Sequence, residues 1–169
     1  GIVPGLGNIC SLCEKLGNPQ KDLRFIHIAG TNGKGSVLAY VSTILKTAGY
    51  KVGRYVSPTI FEYRERIQIN NRSITKKTLC EYVERMKGIC EELVAEGKPH
   101  PTPFEVETAM AFAYFKEQGC ELVVMETGMG GKQDATNIIE NTLVAVLVSI
   151  SMDHMQFLGK DLTAIATEK

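Results

Sequence analysis

The run IHIAGTNGKGSV, Ile26 to Val37, decides how the rest of the chain is read. It opens on apolar, β-forming residues, turns on Gly30 and Gly33, and sets Lys34 and Ser36 at the head of a helical pattern. A glycine-rich turn between strand and helix can wrap a phosphate, because glycines permit positive φ and let backbone N–H groups approach the oxygens. The helix that follows adds the positive end of its dipole. On this reading Gly30, Thr31, Asn32, Gly33 and Gly35 form a cradle, Lys34 reaches the outer phosphates and Ser36 offers a hydroxyl to Mg²⁺. The usual pattern, G-x-x-x-x-G-K-[ST], is broken at one place, where Gly35 stands between Lys34 and Ser36. A glycine-rich connection that binds nothing is the alternative, and the Lys and Ser between strand and helix weigh against it.

Outward from this loop, apolar spacing alternates between the periods of strands and helices. Ile9, Leu12, Cys13 and Leu16 have helical spacing, ended by Gly17, Asn18 and Pro19. LRFIHIA reads as a buried strand, and the helix after the loop presents Val37, Val41, Ile44, Leu45 and Ala48 on one face. KVGRYV is a second strand, and RIQIN alternates like a half-exposed one. From Thr75 to about Glu96 a long amphipathic helix carries Leu79, Val83, Met86, Ile89, Cys90 and Leu93, and Gly97 and Pro99 stop it. Thr102, Pro103 and Glu105 form a helix start signal, with the helix running to about Gln118. CELVVMET and TLVAVLVSI are continuous apolar runs, as expected of strands covered on both faces, and LTAIATEK begins a last helix.

Strands alternating with helices predict an α/β fold with a largely parallel sheet flanked by helices. Ligands of such sheets sit at the carboxyl ends of the strands. Gly30, Ser57, Glu126 and His154 all fall just past predicted strand ends, so one rim can gather them.

Composition narrows the function. The 169 residues suit one domain. Lys plus Arg and Asp plus Glu number 19 each, so no global field draws in nucleic acid or an anionic membrane. No apolar run approaches a membrane span, and no secretory signal pattern stands at Gly1. The five cysteines are odd in number and scattered, which fits a reducing cytoplasm better than a disulfide framework. Cys10 and Cys13 lack the second ligand pair of a zinc site.

The variant loop GTNGKGS resembles that of folylpolyglutamate synthases and dihydrofolate synthases, a branch of the Mur ligase superfamily. YVSPTIFEYRERIQIN is similar to the family's Ser-Pro segment, METGMGGKQDATNII to its second signature, and SISMDHMQFLGKDLTAIATEK to its Asp-His segment with the following helix. These ordered motifs span Phe25 to Lys169. The resemblance implies a Mur ligase central-domain-like fold holding a P-loop. It implies residues 1–169 as an ATP-binding N-terminal domain, truncated, with the C-terminal glutamate-binding domain absent and no turnover by the fragment alone. It further implies ATP and Mg²⁺ as cofactors, and reduced folate or dihydropteroate together with glutamate as substrates of a monomeric cytoplasmic ligase.

The implied site comprises Lys34, Glu126, His154 and Lys169 as catalytic groups, and Ser36, Ser57, Glu126 and His154 around the metal. Carboxylate and hydroxyl oxygens are hard ligands suited to Mg²⁺, whereas His154 rests on the resemblance. Lys169 matches a lysine that is carbamylated in the superfamily, a change not expected where the chain stops at that residue. Asn137 is implied as a nucleotide contact, with Asp134 and Thr136 beside it. Arg64 and Arg66 either hold an anionic substrate or pair with Glu62 or Glu65. Two departures stand out: Thr59-Ile60 where the family commonly has His-Leu, on the pterin side, and Lys132-Gln133 where it often has Arg-Leu. The implied reaction phosphorylates the folate side-chain carboxylate and lets the glutamate amine attack the acyl phosphate, with no cysteine nucleophile. The alternatives are a dihydrofolate synthase, a generic P-loop kinase or NTPase, and a non-catalytic nucleotide-binding module.

Overall fold

The computed structural model describes residues 5–152 and 161–169. Its elements are α1 (Gly7–Lys15), β1 (Phe25–Ala29), α2 (Lys34–Thr47), β2 (Val52–Tyr55), β3 (Ile67–Ile69), β4 (Arg72–Ser73), α3 (Lys76–Ala95), α4 (Pro103–Glu117), β5 (Leu122–Glu126), β6 (Thr142–Leu147) and α5 (Leu162–Glu168). Short 3₁₀ turns occupy Pro19–Asp22, Tyr63–Arg66 and Ala135–Ile138. One six-stranded sheet runs β4-β3-β2-β5-β1-β6. Its four strands β2, β5, β1 and β6 are parallel, and β3 and β4 extend it antiparallel past β2. This is the α/β architecture expected from the alternating periods.

The central strand β5 has all five residues buried, because helices cover both faces of the sheet around it. Period-2 alternation sends Phe25 to one side of β1 and Ile26 and Ile28 to the other. On the first side α1, α3 and α4 supply Leu12, Met86, Leu93 and Phe112, with Phe25 and Phe112 edge to face at 5.6 Å. On the second, α2 packs Leu38, Val41 and Leu45 against Ile28, Val52 and Val124. The predicted capping box is present at α4: Glu105 N–H donates to Thr102 Oγ1 and Thr102 N–H donates to Glu105 Oε2 at 2.7 Å. Thr75 caps α3 by accepting from the Thr78 N–H.

Three expectations are corrected. Ile44 is 65 % exposed and fully buried Leu38 takes its place, because the buried stripe of α2 runs through Leu38, Val41 and Leu45. On α3, Tyr82 is buried while Val83 is half exposed. The third concerns β6, read as covered on both faces. Among the described residues it is the last strand of the sheet, and Leu143, Val144 and Leu147 are exposed. Apolar composition does not distinguish an edge strand from a central one.

Strand register sets the rim. Ile28 lies opposite Glu126, Ala29 opposite Leu147, and Tyr55 opposite Met125. The loop after β1, Ser57 after β2 and the turn after β5 therefore emerge side by side.

Candidate active site

The loop begins at Gly30, whose φ of +141° and close approach to Val148 and Ser149 exclude a side chain. Gly33 adopts φ +89° at the N-cap of α2, with no side-chain cap. Thr31 and Asn32 are held from outside: Thr31 N–H donates to Ser149 O at 2.7 Å and Asn32 N–H donates to Ser149 Oγ at 3.0 Å. The Thr31 hydroxyl donates to Ser151 O and accepts from the Ser151 N–H. The first-turn N–H groups of α2, at Lys34, Gly35 and Ser36, have no acceptor within the helix, as at any helix N-terminus. Ser36 is exposed at this helix start. The Lys34 ammonium donates to Gly30 O at 2.9 Å and Thr31 O at 3.3 Å.

Glu126 ends β5 and is buried, with Oε1 accepting the Ser57 N–H at 2.8 Å. Its Oε2 faces α2, 3.8 Å from where a Cβ on Gly35 would lie. Burial raises the Glu126 pKa above the ordinary carboxylate value, opposed by the Ser57 N–H and by the charges of Lys34 and Arg54. Glu126 lies between the Ser57 backbone and the start of α2, where Ser36 follows Gly35, and carboxylate and hydroxyl oxygens are donors of the hard type that Mg²⁺ takes. Glu126, Ser36 and Ser57 are the described residues that would hold it. His154 lies outside the described residues.

Lys169 is not a solvated tail. The helix α5 docks on the turn after β5: Lys132 N–H donates to Glu168 O at 2.9 Å, and the backbone of Lys169 lies against Gly131. The Lys169 ammonium donates to Gly30 O at 3.0 Å, the same carbonyl that Lys34 uses. Asn137 lies nearby, with its amide N–H donating to Lys132 O.

Two cavities flank the turn between Glu126 and Ala135. The larger, about 640 Å³, is lined by Ser57, Pro58, Arg66, Phe104, Met129 and Asp134 among others. The smaller, about 390 Å³, is lined by His27, Thr127, Lys132, Asn137 and Lys169 among others. The turn itself is tied by Asp134, whose Oδ2 accepts from the Gly128 and Met129 N–H groups at 2.9 and 2.8 Å. Oδ1 accepts from the Thr136 N–H at 3.0 Å and the Thr136 hydroxyl at 2.6 Å. Gly128 has to lack a side chain, since a Cβ would meet the Phe104 ring at 2.5 Å. His27 Nε2 lies 2.8 Å from the same Thr136 hydroxyl. Burial lowers the His27 pKa, against the opposing field of Asp134.

The two arginines part company. Arg64 pairs with Glu62 at 2.7 Å, one of the options left open by sequence. Arg66 instead pairs with Glu107 of α4 at 2.5 Å, stacks over Tyr63 and lines the larger cavity. Sequence reasoning missed Phe104, His27 and Glu107. A histidine interrupting the apolar run FIHIA was the one local signal for His27.

A glycine-rich strand–loop–helix turn, a buried carboxylate on the neighbouring strand end and an adjoining ligand-sized cavity define a P-loop α/β domain. Residues 28–169 match the Mur ligase middle domain, and the chain belongs to that family. A dihydrofolate synthase/folylpolyglutamate synthase of Bacillus subtilis is 44 % identical over 170 residues, covering 100 % of this chain and 39 % of that protein. A solved FPGS–AMPPCP–folate complex superposes with a TM-score of 0.93 at 37 % identity, over 99 % of this chain and 42 % of that one. Escherichia coli FolC in complex with DHPP and ADP superposes with a TM-score of 0.87 at 35 % identity, over 99 % and 39 %. The chain spans about two fifths of the length of these relatives.

Proposed function

We propose that this chain is the ATP-binding domain of a ligase that adds L-glutamate to the side-chain carboxylate of a pteroyl substrate through an acyl phosphate, a further domain binding the glutamate. One observation carries the reading: Glu126 turns Oε2 to the start of α2 while its Oε1 accepts the N–H of Ser57, which lines the larger cavity, so one carboxylate links the loop side to the cavity side. The relatives bound to AMPPCP with folate, and to DHPP with ADP, support both ligand classes.

In this mechanism the first-turn N–H groups of α2 and the Lys34 ammonium hold the outer phosphates of ATP. Lys34 exchanges its bonds to Gly30 O and Thr31 O for phosphate oxygens. Mg²⁺, when bound by Glu126, Ser36 and Ser57, supplies charge neutralisation for the transferring phosphoryl group. The acceptor's flat ring lies in the larger cavity against Phe104, with its carboxylate toward Ser57. Attack of that carboxylate on the γ-phosphorus gives an acyl phosphate and ADP. The glutamate amine then adds to the acyl carbon, and collapse releases phosphate and leaves the amide. The domain contributes positioning and electrostatics, with no covalent intermediate on the protein.

The relative from Bacillus subtilis carries both activities in its name, so dihydropteroate is the second acceptor to test. The full-length protein is incubated with Mg-ATP, glutamate and either tetrahydrofolate or dihydropteroate, and products are read by mass spectrometry. Glutamate added to folate establishes the polyglutamate ligase. Addition to dihydropteroate alone makes the protein a dihydrofolate synthase. ATP binding without ligation of either acceptor overturns the ligase reading.

A further inference from the structure

His27 has no part in the scheme above, yet it is the one polar side chain in the buried strand β1 and lies below the loop at its carboxyl end. Donor counting shows what it does. The Asp134 carboxylate only accepts, so the Thr136 hydroxyl at 2.6 Å must donate its single proton to Oδ1. That hydroxyl can then only accept from His27 Nε2, 2.8 Å away. His27 is therefore protonated on Nε2, and the direction of the chain is settled: His27 N–H to Thr136 O–H to Asp134. A hydroxyl that accepts one hydrogen bond donates the next more strongly. The far oxygen of Asp134 holds the Gly128 and Met129 N–H groups, and that backbone leads directly out of Glu126.

We propose that His27 is a positioning residue for the acceptor: through Thr136 it orients Asp134, which fixes the Gly128–Met129 wall of the larger cavity. The inference rests on that cavity being the acceptor site. Thr136 is fully buried and lines neither cavity, so it reaches a ligand only through its neighbours. The relay starts on β1, crosses to the 3₁₀ turn Ala135–Ile138 and ends on the segment after β5. These pieces are more than a hundred residues apart in sequence at their first link. A single strand thus supplies the nucleotide loop at its end and, one turn of the pleat earlier, the anchor of the acceptor wall.

The test uses the full-length protein and reads KM for the pteroyl acceptor and for ATP separately, with thermal melting to establish that each variant is folded. Thr136→Val, which removes the hydroxyl from the relay, raises the acceptor KM about tenfold, the loss of one hydrogen bond to a charged group, and leaves the ATP KM within about twofold. Thr136→Ser keeps the hydroxyl and restores the acceptor KM. His27→Phe raises the acceptor KM alone but adds nothing to it in a Thr136→Val background, because both substitutions cut one chain. Multiplying effects of the two substitutions, or a folded Thr136→Val with unchanged acceptor KM, overturn the inference. Should Thr136→Val not fold, His27→Gln, which retains an N–H donor, is compared with His27→Phe. Equal acceptor KM for those two overturns the proposal. Wild-type protein that ligates no pteroyl acceptor overturns the functional reading itself, a different result from an active enzyme insensitive to these substitutions.

Discussion

Replacing Asp134 with asparagine changes almost no volume but reverses the polarity of one buried atom. In the structure four hydrogens converge on the carboxylate: two N–H groups on Oδ2, and one N–H with one hydroxyl on Oδ1. An asparagine oxygen can serve only one pair. If it faces Gly128 and Met129, its NH₂ meets the Thr136 N–H, a donor against a donor at the 3.0 Å now occupied by a hydrogen bond. If it is flipped, two backbone N–H groups lose their acceptor instead. The better rotamer thus leaves one buried N–H unsatisfied, at about 1–3 kcal/mol, and weakens the surviving bonds by removing the charge, at about 1 kcal/mol. The expected loss is about 2–4 kcal/mol, measured by equilibrium urea unfolding with an unchanged m-value. A midpoint shift equivalent to less than about 0.5 kcal/mol, within the range of an ordinary surface change, would show that Asp134 does not organise the turn and would refute the reasoning.

Gly30→Ala places a Cβ 2.3 Å from Val148 at φ +141°, so the expected cost is about 2–4 kcal/mol from backbone strain and overpacking together. Titration with a fluorescent ATP analogue should show affinity reduced by more than about tenfold, and unchanged affinity would mean the loop absorbs the side chain. A second expectation concerns acid. Because the folded-state pKa of His27 lies below its ordinary 6.5, the unfolded chain takes up that proton first, and stability falls as pH drops through about 6.5 toward the lower folded value. The difference in unfolding free energy between wild type and His27→Gln, followed from pH 8 to 5.5, isolates this histidine from the carboxylates common to both. A parallel decline in the two proteins would refute it.

Much of the architecture was legible in the chain. The periods of apolar residues located every long helix and the parallel strands, and the Thr102–Glu105 box marked its helix start to the residue. The loop Gly30–Ser36 was legible because its chemistry is local: glycines, an ammonium and a helix start lie within one turn. What escaped was relational. The exposure of Leu143 and Val144 depends on β6 being last among the described strands of the sheet, which is a matter of strand order and not of the apolar run itself. Arg66 chose Glu107, 41 residues away, over its neighbours Glu62 and Glu65. Nothing in ATEK reports that α5 docks beside Gly131 or that the Lys169 ammonium reaches Gly30 O. His27, Thr136 and Asp134 each look like ordinary strand or turn residues until β1 and the 3₁₀ turn are brought within 2.8 Å.

The turn from Glu126 to Ala135 has a consequence for how such a protein can change over time. Its residues face two ways: Gly128, Met129 and Asp134 toward the larger cavity, Thr127, Gly131 and Lys132 toward the smaller. Because Asp134 ties its ends together, a substitution on either side shifts a single stiff body. A lineage adapting to a new acceptor by altering this turn would disturb the opposite cavity at the same step. On the facing wall Phe104 packs on Gly128 and Arg66 pairs with Glu107, which leaves Pro58 the freer position to diversify. On the function proposed above, taste for a new acceptor is therefore expected to evolve from the Ser-Pro segment, while the turn drifts slowly.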